Sequence, residues 1–98
     1  MEINKTLNGD ELIVAVSGEI NTATYQELED AVKGCLFNVK SLIFDFKDLV
    51  YISSAGLRTL LVCKKAMPSQ GRIVIRNANE NVMEIFEITG FSNLLDFE

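Results

Sequence analysis

Two adjacent serines stand in the run Tyr51-Ile-Ser-Ser-Ala-Gly-Leu57, a small, polar stretch bounded by apolar residues. A serine hydroxyl can act as a nucleophile, cap a helix or accept a phosphoryl group. Nucleophilic catalysis needs a base, and the chain has no histidine, so Ser-His and Cys-His pairs are excluded. Nor does either serine stand in a Gly-x-Ser-x-Gly elbow. Cys35 and Cys63 form no Cys-x-x-Cys pair and have no ligand-spaced partners, which removes zinc and dithiol redox chemistry. None of the six glycines builds a phosphate-cradling Gly-x-Gly-x-x-Gly or Gly-x-x-x-x-Gly-Lys loop. Asp45 and Asp48 can be read as an acid pair around a cation or as solvated carboxylates at a strand end. The reading is of a non-enzymatic protein without cofactor or metal.

Composition narrows the partners. The 98 residues suit one domain, 48% are hydrophobic, and the formal charge is −5 with basic residues scattered. Nucleic acids and anionic membranes reward clustered positive charge, so neither is expected as a partner; an acidic surface suits a protein partner instead. The N-terminus carries no signal pattern, and no apolar run approaches the roughly 18 residues that span a bilayer. A cytoplasmic protein without membrane insertion is expected.

The elements that must position the serines follow from periodicity. Ile3–Leu7 and Leu12–Ser17 read as strands joined by a turn at Asn8-Gly9-Asp10, where Asn-Gly supplies the backbone of a tight hairpin. The continuous apolar run of the second strand predicts burial on both faces. Tyr25, Leu28, Val32, Cys35 and Leu36 share one face of a helix spanning about Thr24 to Phe37, and both cysteines read as small buried hydrophobes. Thr24 with Glu27 fits a capping box, and Thr22 is the competing cap. Leu42–Phe46 reads as a third strand. Leu57, Leu60, Leu61 and Met67 mark a second helix, stopped by Pro68 and Gly71, with Arg58, Lys64 and Lys65 off its stripe. Arg72–Arg76 is a fourth strand. Asn79 caps a third helix, which carries Val82, Ile85 and Phe86 inward and stops at Gly90, and Leu94–Phe97 is a short last strand. Tyr25, Phe44, Phe46 and Phe86 are core positions. The economical architecture is an α/β mixed sheet with two βαβ crossovers.

Within it, Ser54 falls between a strand and the start of the second helix. Ligands and partners of open α/β sheets gather at the carboxyl ends of strands, and a helix start there presents unpaired N–H groups. Phosphorylated Ser54 would carry about −1.5 to −2 charges and accept hydrogen bonds from the amides near Ala55, Gly56 and Leu57. The alternative reading is that Ser53 or Ser54 is the N-cap of the helix, and the two roles are compatible.

Gly18-Glu19-Ile20, Phe44-Asp-Phe-Lys-Asp-Leu49, Tyr51-Ile-Ser-Ser-Ala-Gly-Leu-Arg58 and Ile85-Phe86-Glu-Ile-Thr-Gly90-Phe together resemble the STAS domain of bacterial anti-sigma factor antagonists, and the matches cover almost the whole chain. The resemblance implies a STAS-like fold and a serine, here Ser54, phosphorylated by an anti-sigma factor that is also a serine kinase. The unmodified antagonist would bind that kinase and release a sigma factor, and a serine phosphatase would reverse the modification. Ser53 stands where the family usually has an acidic residue and is the second candidate; Asn21 stands where another is common. Relatives commonly continue past the position of Phe97 into a fourth helix. The implied contact surface comprises Asn21, Thr22, Ser53, Ser54, Ala55, Gly56 and Arg58, with Arg58 either a rim contact or part of a solvated helix face. STAS domains also serve as accessory or scaffold subunits of transporters and signalling complexes, the alternative without a phosphoserine switch.

Overall fold

Strand β1 (Glu2–Asn8) pairs antiparallel with β2 (Glu11–Ile20), from Glu2 opposite Ser17 to Asn8 opposite Glu11, so Gly9 and Asp10 make the expected tight turn. The computed structural model describes residues 1–67 and 71–98. From β2 the chain runs through helix α1 (Tyr25–Lys33) to β3 (Ser41–Asp45), which pairs parallel with Glu11–Ala15 of β2. After three residues β4 (Leu49–Ile52) resumes the parallel pairing along Gly18–Ile20. Helix α2 (Ser54–Ala66) then crosses to β5 (Arg72–Arg76) beside β3, and α3 (Glu80–Ile88) leads through a 3-10 turn at Phe91–Asn93 to β6 (Asp96–Phe97) beside β5. The sheet order is β1-β2-β3-β5-β6 with β4 on β2.

The three crossovers advance in one direction across the sheet, and crossovers of one hand then place their helices on one face. Packing agrees. Leu12, Val14 and Val16 of β2, Leu42 and Phe44 of β3, and Ile73 and Ile75 of β5 form one cluster with Leu28 and Val32 of α1, Leu57, Leu60 and Cys63 of α2, and Val82 and Phe86 of α3. The period of two sends the alternate residues to the other face.

That asymmetry corrects the reading of β2. Its core face is buried, but Ile13, Ala15 and Ser17 on the opposite face are only half-buried. Burial on both faces belongs instead to β3 and β5, where Ile43 and Val74 are 2% and 1% exposed.

Helix α1 is shorter than the apolar pattern predicts. It stops at Lys33 with Gly34 as its cap; Cys35 is exposed, and Leu36 returns to the core from the following turn. Glycine propagates a helix poorly, and the chain leaves the 3.6-residue period before Cys35. The predicted capping box is also absent. Thr24 lies in the helical region at ψ −16°, and its hydroxyl donates to the Glu19 carbonyl at 2.8 Å and accepts from the Asn21 amide at 2.9 Å. It ties the strand end to the loop rather than capping the helix, and Thr22 is exposed.

β4 is an element the periodicity did not show. Its pattern of two exposed residues, Val50 and Tyr51, between buried Leu49 and Ile52 has no period of two. The last strand is two residues instead of four, the 3-10 turn taking up the rest. Asn79 caps α3 as expected, accepting from the Val82 amide at 2.9 Å, and its amide donates to the Leu49 carbonyl, tying α3 to β4. Pro68, the expected stop of α2, lies outside the described residues; α2 ends at Ala66.

Candidate functional site

The serine turn is built by β4. Ile52 pairs with Ile20 of β2, and the Ser53 amide then donates to the Ile20 carbonyl at 2.8 Å. That bond sets Ser53 beside Asn21, the residue after Ile20, and so joins two segments more than thirty positions apart. Ser53 has extended backbone (φ −90°, ψ 177°) and its hydroxyl accepts from the Gly56 amide at 3.4 Å, while its carbonyl accepts from the Leu57 amide at 2.9 Å. This is an N-cap arrangement in which one orphan donor of the first turn is satisfied.

Ser54 is therefore the first residue of α2 and is exposed, whereas Ser53 is half-buried. The sequence placed both serines at the helix start; only the backbone separates the cap from the free hydroxyl. Behind them Gly56 presses onto the sheet. A Cβ there would lie 2.6 Å from Cγ1 of Ile52 and 2.8 Å from Cγ2 of Ile20, closer than carbon atoms approach. Glycine thus lets the start of α2 sit directly on the β2–β4 pair, and this buried residue positions the turn from beneath. Ala55 is half-buried, and its carbonyl accepts from the hydroxyl of the buried Thr59 at 3.1 Å.

The neighbouring loop is equally ordered. The Asn21 side-chain oxygen accepts from the Ala23 amide at 2.9 Å, and its carbonyl accepts from the Thr24 and Tyr25 amides. Asn21 is half-buried and shapes the loop; Thr22 is exposed beside it. Arg58 is exposed on α2, with its guanidinium carbon 5.7 Å from the centroid of the half-buried Tyr25 ring of α1. The structure accordingly brings Asn21, Thr22, Ser53 and Ser54 to one end of the sheet, with Arg58 one turn along α2. Tyr25 borders Arg58, and the exposed Tyr51 lies two residues before Ser53 on β4, opposite Glu19 of β2.

A cleft of about 130 Å³ is lined by Glu2, Asn4, Asp45, Lys47 and Asp48 among others, and none of its lining residues belongs to the Ser53–Arg58 turn. Asp45 is occupied locally: its Oδ1 accepts from the Lys47 amide at 3.1 Å and from the Asn77 side chain at 3.2 Å. Among the described residues no group of three or more cysteine or carboxylate side chains is arranged to hold a metal ion. The Cys63 thiol is buried in the core and pushed up to about 12, by desolvation first and by the Glu29 carboxylate second, with Lys33 opposing. It is inert packing, as the sequence indicated. Exposed Cys35 lies 3.4 Å from the Lys5 ammonium.

Fold and site together define a small α/β domain with a mixed sheet, which offers a solvent-facing serine at the carboxyl end of parallel strands. The chain belongs to the STAS domain family, whose model matches residues 2–98. It is 36% identical over 85 residues to BtrV of Bordetella bronchiseptica, named as a candidate anti-sigma factor antagonist, covering 85% of this chain and 73% of that protein. It is 26% identical over 90 residues to the anti-sigma-B factor antagonist of Bacillus subtilis, covering 91% of this chain and 83% of that one. The fold matches the anti-sigma factor antagonist SpoIIAA in its unphosphorylated form with a TM-score of 0.86 at 16% identity, over 99% of this chain and 88% of that one. The Bacillus cell fate determinant SpoIIAA in its phosphorylated form matches with a TM-score of 0.75 at 15% identity, over 99% of this chain and 91% of that one. No helix among the described residues is long and apolar enough to cross a membrane.

Proposed function

We propose that this chain is an anti-sigma factor antagonist whose binding is switched by phosphorylation of Ser54. The observation that carries the reading is the division of labour in the serine turn: Ser53 is engaged as the cap of α2, and Ser54 stands exposed one residue later. The relatives' names supply the class of partner. In this reading the unmodified domain binds an anti-sigma factor that is also a serine kinase and thereby frees a sigma factor. The kinase transfers the γ-phosphoryl group of ATP to the Ser54 oxygen: an O–P bond forms, ADP departs, and a kinase base takes the hydroxyl proton. A serine phosphatase hydrolyses the ester and restores binding. The domain is the substrate and the switch, it carries no catalysis of its own, and it works in the cytoplasm.

The energetics favour such a switch. Burying an unpaired charge in a contact costs several kcal/mol, and each ~1.4 kcal/mol is tenfold in affinity. The same charge at the start of α2 meets the positive end of the helix dipole, a stabilisation of about 0.3–1 kcal/mol at an exposed position. Binding is lost while the fold is kept.

The test is to incubate the domain with ATP and a candidate anti-sigma serine kinase, and to follow intact mass and the modified site, with Ser54→Ala in parallel. Gain of one phosphoryl group that disappears in Ser54→Ala supports the switch. Transfer that survives Ser54→Ala moves the site to Ser53, and no transfer by a demonstrably active kinase leaves an accessory or scaffold role.

A further inference from the structure

Arg58 stands one helical turn beyond Ser54. Residues four apart are neighbours on a helix surface, and side chains lean toward the helix N-terminus, so the long Arg58 side chain has Ser54 within its reach. Its guanidinium rests against the Tyr25 ring, whereas the ion pairs among the described residues use Lys33, Arg72 and Arg76. Among the described residues, the contact of this cation is the Tyr25 ring.

We propose that Arg58 is the internal receptor for the phosphoryl group on Ser54: on modification the guanidinium leaves Tyr25 and pairs with the phosphate. The inference rests on Ser54 being the modified serine. A planar guanidinium makes two parallel, charge-assisted hydrogen bonds to phosphate oxygens, a stronger interaction than stacking on the half-buried Tyr25 ring. Arg58 is exposed and on a flexible stem, so the exchange needs rotamer changes and no backbone movement. One modification would then alter three residues on the α1–α2 face. The dianion appears at position 54, the cation at position 58 is consumed, and the ring of Tyr25 is uncovered. A partner matched to the unmodified face loses a positive contact as well as meeting a negative one.

The experiment places phosphoserine at position 54 of the full chain during translation and records NMR spectra. A Tyr51→Phe background leaves Tyr25 as the single tyrosine of the two in the chain. The expected result is a downfield shift and slower solvent exchange of the Arg58 Nε–H signal. The Tyr25 ring resonances should move to the positions they take in Arg58→Gln, and in Arg58→Gln phosphoserine should no longer move them. Ring resonances that stay in place on phosphorylation, or that move equally with and without Arg58, would overturn the proposal. Because no kinase is used, that failure leaves the assignment of Ser54 as the kinase target standing, to be decided by mass and site mapping.

Discussion

The hydroxyls of Ser53 and Ser54 have different surroundings, and substitution should separate them. Ser53→Ala removes the acceptor of the Gly56 amide, and loss of an N-cap typically costs about 1 kcal/mol. Urea unfolding should register that loss, while kinase-dependent phosphorylation at Ser54 persists. The cysteines diverge in the same way. A thiol reagent should label Cys35 in the folded protein and reach Cys63 only on unfolding. The Cys63 proton also links stability to alkaline pH. Its folded value is about 12 against 9.0 for the free thiol, so below pH 9.0 both states keep the proton. Above it the unfolded chain releases a proton that the folded chain retains, and stability falls as pH rises toward about 12. Unfolding midpoints measured across that range should fall less steeply in Cys63→Ala.

At the scale of elements, the start of α2 is where position is decided. Gly56 rests on Ile20 and Ile52 with no room for a Cβ, so Gly56→Ala should lift the helix start or displace those side chains, at about 1–3 kcal/mol. Thermal unfolding would register the loss, and a melting temperature unchanged from the native protein would show that the contact yields freely. Gly18 plays a related part in β2. Its φ of 89° accompanies the register shift between Gly18 and Glu19, and its amide donates to the Asp48 carbonyl at 3.1 Å. That irregularity lets β2 pair first with β3 and then with β4. The helices and three of the parallel strands were legible because their apolar periods are long. β4 was not, since four residues with both ends buried and the middle exposed fit neither period. The Thr24 capping box failed for a tertiary reason: the end of β2 claims the same hydroxyl.

Across the whole molecule, the proposed contact surface lies at one end of the sheet, and the hydrophobic cluster stands behind it. Ser54→Asp should therefore weaken partner binding at least tenfold, the effect of ~1.4 kcal/mol, while the thermal transition stays nearly unchanged. Calorimetry of both proteins with the anti-sigma factor reads the first, and a melting curve reads the second. Equal affinities would remove the switch. The sequence by itself determined the α/β class, the crossover helices, the serine at the start of α2 and the absence of a histidine-based catalytic site, because each depends on residue type and local period. Tertiary structure alone decided which serine caps and which is free, that Cys35 is exposed, that β2 is fully buried on one face only, and that Arg58 rests on Tyr25. These depend on which distant backbone reaches a given atom: the Ile20 carbonyl at the Ser53 amide, α1 beside α2, and three crossovers on one side of the sheet. Local propensity does not encode those meetings; the packing of the whole chain does.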